Sequence, residues 1–176
     1  MRLFTTTHKF NYSWQQVSAA NWRKYPNEDC PHVVSVDVLD RRVDPETGIM
    51  VTERLLTIEQ NAPAFIRRIL GQDVTVQYCH EISILDPRNK TLSMKSRNLS
   101  WQNVMTVEER ITYKGEGDQT VFTQEAEINA SNAFSRVKEY IEDFCVKRFS
   151  DNAAKGRDAF ERVLVSLTGE RQGLAV

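Results

Sequence analysis

At 176 residues, with hydrophobic side chains at 40%, charged ones at 27% and a net charge of −1, the chain has the balance of one globular domain with a sizeable core. That balance excludes a largely disordered chain and a global positive field of the kind that gathers nucleic acid. Three scattered cysteines, Cys30, Cys79 and Cys145, contain no CxxC pair and read as free thiols, not as a disulfide framework or a structural zinc site.

Residues 2–10 mix threonines with Leu3, Phe4 and Phe10 and predict a first strand. Ser13 and Gln16 have the spacing of a capping box, and Val17, Ala20, Asn21 and Lys24 follow at helical period. This helix is predicted to reach about Tyr25 and stop before Pro26, because the residue ahead of a proline resists the α conformation. Val34, Val36 and Val38 then alternate with Ser35 and Asp37, a strand pattern. Asp44-Pro45-Glu46-Thr47-Gly48 reverses the chain into a strand over 49–58. Further strands are predicted at 73–86, 91–101, 103–114 and 119–130, with reversals at Asp86-Pro87-Arg88-Asn89 and Gly115-Glu116-Gly117-Asp118.

From Ser131 to about Thr168 the period becomes helical, with Phe134, Val137, Ile141, Phe144, Phe149, Phe160, Val163 and Leu167 along one stripe. A helix of ~35 residues is roughly 50 Å long, enough to cross such a sheet. The predicted fold is therefore α+β: a helix-grip, in which a curved seven-stranded antiparallel sheet holds a long C-terminal helix across its concave face. A cavity is expected between the two layers. Residues 1–170 read as one domain and 171–176 as a short tail.

The chain carries no GxSxG, P-loop, GxGxxG or HExxH motif, so no catalytic residue is assigned. His8, His32 and His80 fall on separate strands or strand edges, which is poor spacing for a metal site, and none is expected. Glu108 and Glu109 are neighbours in a strand and point to opposite faces, a poor general acid/base pair. No apolar run approaches membrane-span length, and the N-terminal stretch MRLFTTTHKFNYSW has neither a signal-peptide core nor an Arg/Ser-rich amphipathic pattern. A cleavable presequence is not expected.

Two segments invite a function. Residues 61–71, NAPAFIRRILG, place Phe65, Ile66, Ile69 and Leu70 around Arg67 and Arg68 between two strands. They read as a buried core helix, or as a lid that touches anionic membranes, with arginines at headgroup level and apolar side chains below. The second is the long helix, where Lys155, with Asn152 and Gly156, is placed to face the sheet. A cation there needs an anionic partner, since isolated burial is costly.

Several stretches together resemble the PRELI-domain family and its slowmo-like branch: FNYSWQQVSAANWRKYPNE at 10–28, HVVSVDVLDRRVD at 32–44, TERLL at 52–56, SILDP at 83–87 and RFSDNAAKG at 148–156. The resemblance implies a START-like helix-grip that shuttles one anionic glycerophospholipid across the mitochondrial intermembrane space, phosphatidylserine favoured and phosphatidic acid next. It implies headgroup-binding positions at Lys24, His32, Arg54, Arg148, Asn152 and Lys155. It also implies a lid with membrane contacts at Ala62, Pro63, Phe65, Ile66, Arg67, Arg68, Ile69 and Leu70. The bound phospholipid would be cargo, with no cofactor. The implied partner is a small helical protein with twin cysteine motifs, forming a heterodimer. The competing classes are an enzyme on the same fold and a non-catalytic interaction module working through the apolar 61–71 loop.

Overall fold

The computed structural model describes residues 1–59, 64, 67, 68 and 76–173. Seven strands form one sheet: β1 (Arg2–Phe10), β2 (Val33–Val43), β3 (Met50–Glu59), β4 (Val76–Asp86), β5 (Thr91–Asn98), β6 (Met105–Glu116) and β7 (Gln119–Ala130). Their spatial order is β1-β7-β6-β5-β4-β3-β2, and every neighbouring pair is antiparallel. Consecutive hairpins therefore build the sheet from β2 to β7, and β1 closes the far side against β7. Strands of 8 to 12 residues twist strongly enough for such a sheet to curl around its contents. Two α-helices among the described residues pack with this sheet, α1 (Trp14–Asn21) and the 36-residue α2 (Lys138–Gly173).

The predicted capping box is present. Gln16 N–H donates to Ser13 Oγ at 3.4 Å, and Ser13 N–H donates back to Gln16 Oε1 at 3.0 Å. The helix ends earlier than its periodicity predicts, at Asn21. Trp22 leaves the helix with its indole packed against two guanidinium groups, Arg41 at 4.8 Å and Arg54 at 5.1 Å from the ring centre. That early exit lets residues 22–25 turn Lys24 toward the interior. At the other end, α2 begins at Lys138 and not at Ser131. Asn132–Phe134 forms a 3₁₀ turn instead, and the buried Glu142 reaches back to accept a hydrogen bond from Ala130 N–H at 3.1 Å.

Strand ends also differ in detail. Asn98 stops β5 short of residue 101, because its side chain is used three times in the following loop: its amide donates to Ser100 O and Met105 O, and its oxygen accepts from Val107 N–H. In β2 the valine alternation does not bury one face. Val34 is 45% and Val38 52% exposed, because β2 is an edge strand with register shifts at Val33/Ser35 and Val38/Asp40.

The core sits at one end of the grip. Phe10, Tyr113, Phe122 and Phe160 meet in tilted and edge-on pairs, with ring centres 5.2 to 6.4 Å apart, and Val17, Ala20, Leu92 and Leu164 fill in around them. The N-terminal half of α2 is held against β1 by the Phe4–Phe149 ring contact and by Arg2 Nε to Asp143 Oδ1 at 2.7 Å. With both ends pinned, the middle of α2 stands over the concave face without filling it.

Candidate functional site

Between α2 and the sheet lies a cavity of about 320 Å³, within the roughly 300–1,000 Å³ range of small-molecule pockets. Strand alternation decides what faces it. Leu56, Cys79, Met94, Val107, Ile111 and Ile128 give apolar surface, joined by Phe149 and Phe160 from α2. Polar side chains gather in two places: a basic wall where the α1–β2 loop meets α2, and a row across the floor.

The basic wall consists of Lys24 and His32 from the loop with Arg148, Asn152 and Arg157 from α2, all lining the cavity. Lys24 Nζ lies 5.1 Å from the Tyr25 ring centre and 5.9 Å from that of Phe160. Gly156 lies beside it: a Cβ at this position would stand 4.0 Å from Lys24 Nζ, an ordinary contact distance. Burial works against the Lys24 charge, but the oxygens of Tyr25 and Tyr113 and the carboxylate of Glu109 outweigh it and raise the pKa, so the ammonium persists. His32 is half-buried, and its pKa is lowered first by burial and then by the charges of Arg148, Lys155 and Lys24. Its ring is neutral at neutral pH, a sensor of the charge around it.

Five of the six headgroup positions implied by the sequence resemblance therefore share one cavity: Lys24, His32, Arg54, Arg148 and Asn152. Lys155 does not. It is exposed and off the cavity wall, so the expectation that it faces the sheet is corrected; its charge still reaches His32. Two residues on, roughly 200° round the helix, Arg157 lines the cavity in its place, its Nη1 donating to Thr6 Oγ1 at 2.9 Å. Arg54 is in the cavity but not free. It is 6% exposed and donates from Nε and Nη2 to Glu81 Oε1 at 2.8 and 2.6 Å. Its role is thus to hold a buried carboxylate as well as to present charge.

Sequence reading missed that carboxylate, along with Glu109, Ser96 and Gln124. The signal was there in part: Gln77, Glu81 and Ser83 share the alternate positions that mark the inward face of β4, but nothing in the pattern pairs Glu81 with Arg54. Of the expected lid, Ala64, Arg67 and Arg68 are helical and exposed; Ala62, Pro63, Phe65, Ile66, Ile69 and Leu70 lie outside the described residues.

His8 pairs with Glu161 at 3.0 Å and His80 with Glu53 at 2.6 Å, and no cluster of metal-ligating side chains occurs among the described residues. All three cysteines line the cavity as free thiols. Burial pushes Cys79 and Cys145 up to about 11 and raises Cys30 as well, which keeps them protonated and weak as nucleophiles at neutral pH.

A curved antiparallel sheet gripping a long terminal helix over an internal cavity defines a helix-grip protein of the START type. A START superfamily protein from Mycobacterium smegmatis superposes with a TM-score of 0.56 at 14% identity, over 94% of this chain and 98% of its own. The Zhui aromatase/cyclase from Streptomyces sp. R1128 does so with a TM-score of 0.61 at 11% identity, over 94% and 92%. Such likenesses show the fold alone. The sequence is more specific: residues 15–170 match the PRELI-like family, and the chain belongs to that family. It is 42% identical to Protein UPS2, mitochondrial, of Saccharomyces cerevisiae over 93% of this chain and 73% of that one. It is 35% identical to the Protein slowmo homolog of Dictyostelium discoideum over 98% and 75%.

Proposed function

We propose that this protein carries one anionic glycerophospholipid at a time between mitochondrial membranes, phosphatidylserine ahead of phosphatidic acid, without transforming it. The observation that carries this reading is the cavity itself, with apolar walls for acyl chains and a basic wall where a phosphate needs cations. Its likeness to a mitochondrial relative supports the compartment. Two acyl chains hold ~30 methylenes, so roughly 25 kcal/mol of hydrophobic free energy opposes exposing the lipid to water. Apolar cavity walls replace part of that exposure. Lys24, His32, Arg148, Asn152 and Arg157 would hold the headgroup, with Lys155 adding charge from outside. Carriage over catalysis is supported by protonated thiols and by a carboxylate, Glu109, bonded to neutral donors only.

The decisive measurement is transfer of phosphatidylserine and phosphatidic acid between liposomes by the purified protein with its partner. Movement of neither lipid would end the carrier reading. Deleting residues 62–69 is expected to slow transfer while leaving the circular dichroism spectrum intact; unchanged rates would remove the lid from the mechanism. The small twin-cysteine helical partner is part of the same proposal. Its docking is supported by apolar side chains on the outer sheet face, Ile82 at 42% and Ile84 at 46% exposure, beside Val51 and Leu55.

A pH dependence follows from His32. In the empty protein its pKa is depressed below 6.5, so the folded state binds this proton less readily than the unfolded chain, and stability is lost as pH falls through that window. A bound phosphate would offset the neighbouring cations and raise the His32 pKa. Lipid binding is then expected to take up a proton and to tighten as pH falls below about 6.5. Binding titrations across that range should show the slope in the native protein and a flattened one in His32→Gln.

A further inference from the structure

The floor of the cavity sets two carboxylates, Glu81 and Glu109, beside one guanidinium, Arg54, while Lys24 acts on both carboxylates through its charge from the basic wall. Arg54, Glu81, Ser96 and Glu109 are successive cross-strand partners, forming one row across β3, β4, β5 and β6. Arg54 directs its Nε and Nη2 at Glu81 Oε1. Glu109, by contrast, receives Ser96 Oγ on Oε2 at 3.0 Å and Gln124 Nε2 on Oε1 at 2.5 Å, both from neutral groups. Among the described residues it makes no ion pair, while the outward-facing Glu108 does, with Lys95 Nζ at 3.6 Å.

Gln124 gives a second, independent sign. It is 7% exposed, lines the cavity, and its Oε1 has no hydrogen-bond donor. One N–H of its Nε2 is committed to Glu109, so the two side chains together offer several acceptors and a single remaining amide N–H. A carboxylate beside an orphan amide oxygen is a costly wall unless something brings N–H groups and positive charge. Phosphate cannot; it would be repelled. A primary ammonium supplies both, and the basic wall opposite takes the phosphate to which that ammonium is tethered.

We propose that Glu109, positioned by Ser96 and backed by Gln124, is an ammonium-binding subsite that selects headgroups bearing a primary amine over the amine-free headgroup of phosphatidic acid. The proposal rests on the phospholipid-carrier reading and gives it a discriminating residue. Cationic wall and anionic floor together match a headgroup that is itself charged both ways, and Glu109 disfavours a headgroup that is only negative.

The test is liposome transfer with three probes: phosphatidylserine, its N-acetyl derivative, in which the amine charge is abolished, and phosphatidic acid. The native protein is expected to move phosphatidylserine at least about tenfold faster than the N-acetyl form, the scale of one charge-assisted hydrogen bond. In Glu109→Gln that difference collapses, and the ratio of phosphatidylserine to phosphatidic acid transfer falls about tenfold. Any steric cost of the acetyl group persists in the variant, so the comparison between the two proteins isolates the charge. Proportional loss of all three probes in Glu109→Gln would overturn the subsite, as would equal handling of the amine and its acetylated form by the native protein. The native comparison needs no variant to fold. If no probe moves at all, the carrier reading fails and takes the subsite with it; if phosphatidic acid moves and the amine is ignored, only the subsite fails.

Discussion

Arg54→Ala is expected to destabilise the protein by about 3–5 kcal/mol, the range for removing one member of a buried ion pair. For a domain of this length that is a loss of roughly 6–20 °C in Tm. The reason is what remains behind. Glu81 is 5% exposed and its carboxylate takes both of its arginine hydrogen bonds on one oxygen. Without Arg54 a buried carboxylate loses its hydrogen-bonded counter-charge, and Trp22 loses one of the two guanidinium groups packed against it.

The same variant should have a characteristic pH dependence. The Glu81 pKa is raised above its ordinary 4.5: burial pushes it up, and attraction to Arg54 pulls it only part of the way back. The folded state therefore keeps this proton to higher pH than the unfolded chain. Its contribution to stability declines as pH rises from 4.5 through the folded value. Removing Arg54 drives the folded pKa higher still. The deficit against the native protein is thus greatest at neutral pH and narrows on acidification. Urea unfolding at neutral pH and near pH 5 would measure both. A loss below about 1 kcal/mol, or one indifferent to pH, would show that Glu81 is not held by Arg54 in the way the geometry states.

The second large effect concerns binding. Lys24→Met is expected to reduce retention of an anionic phospholipid about 10- to 100-fold, the equivalent of losing one charged hydrogen bond. Methionine keeps the stem that packs by Phe160 and removes only the charge, so folding should survive. Lys24 matters more than Lys155 on this argument, because water screens an exposed cation and not one enclosed by Tyr25, Phe160 and Gly156. Native mass spectrometry of the two variants gives the comparison. Equal loss of bound lipid in Lys24→Met and Lys155→Met would mean that the headgroup sits outside, over the exposed surface of α2.

Arrangement of the hairpins was legible for a local reason: turns such as Asp44–Gly48 and alternation within each strand are properties of a few consecutive residues. The same holds for the capping box at Ser13 and the apolar stripe of α2. Local pattern failed where a neighbour decided the outcome. The valines of β2 alternate correctly but lie on an edge, where no second layer covers them. Lys155 and Arg157 are both cationic and two residues apart on α2; only the packing of that helix on β1 and β7 turns one outward and the other toward Thr6.

Sequence alone determined the α+β order, the one-domain length, the family and five cavity-lining positions among its motifs, since each of these is written in short-range periodicity or in contiguous residue strings. Tertiary structure alone decided the pairing of Arg54 with Glu81, 27 residues apart, and the alignment of Ser96 with Glu109 on the next two strands. Strand register fixes which side chains stand opposite each other, and register depends on the whole sheet, so charge balance inside the hollow could not be read from any single segment.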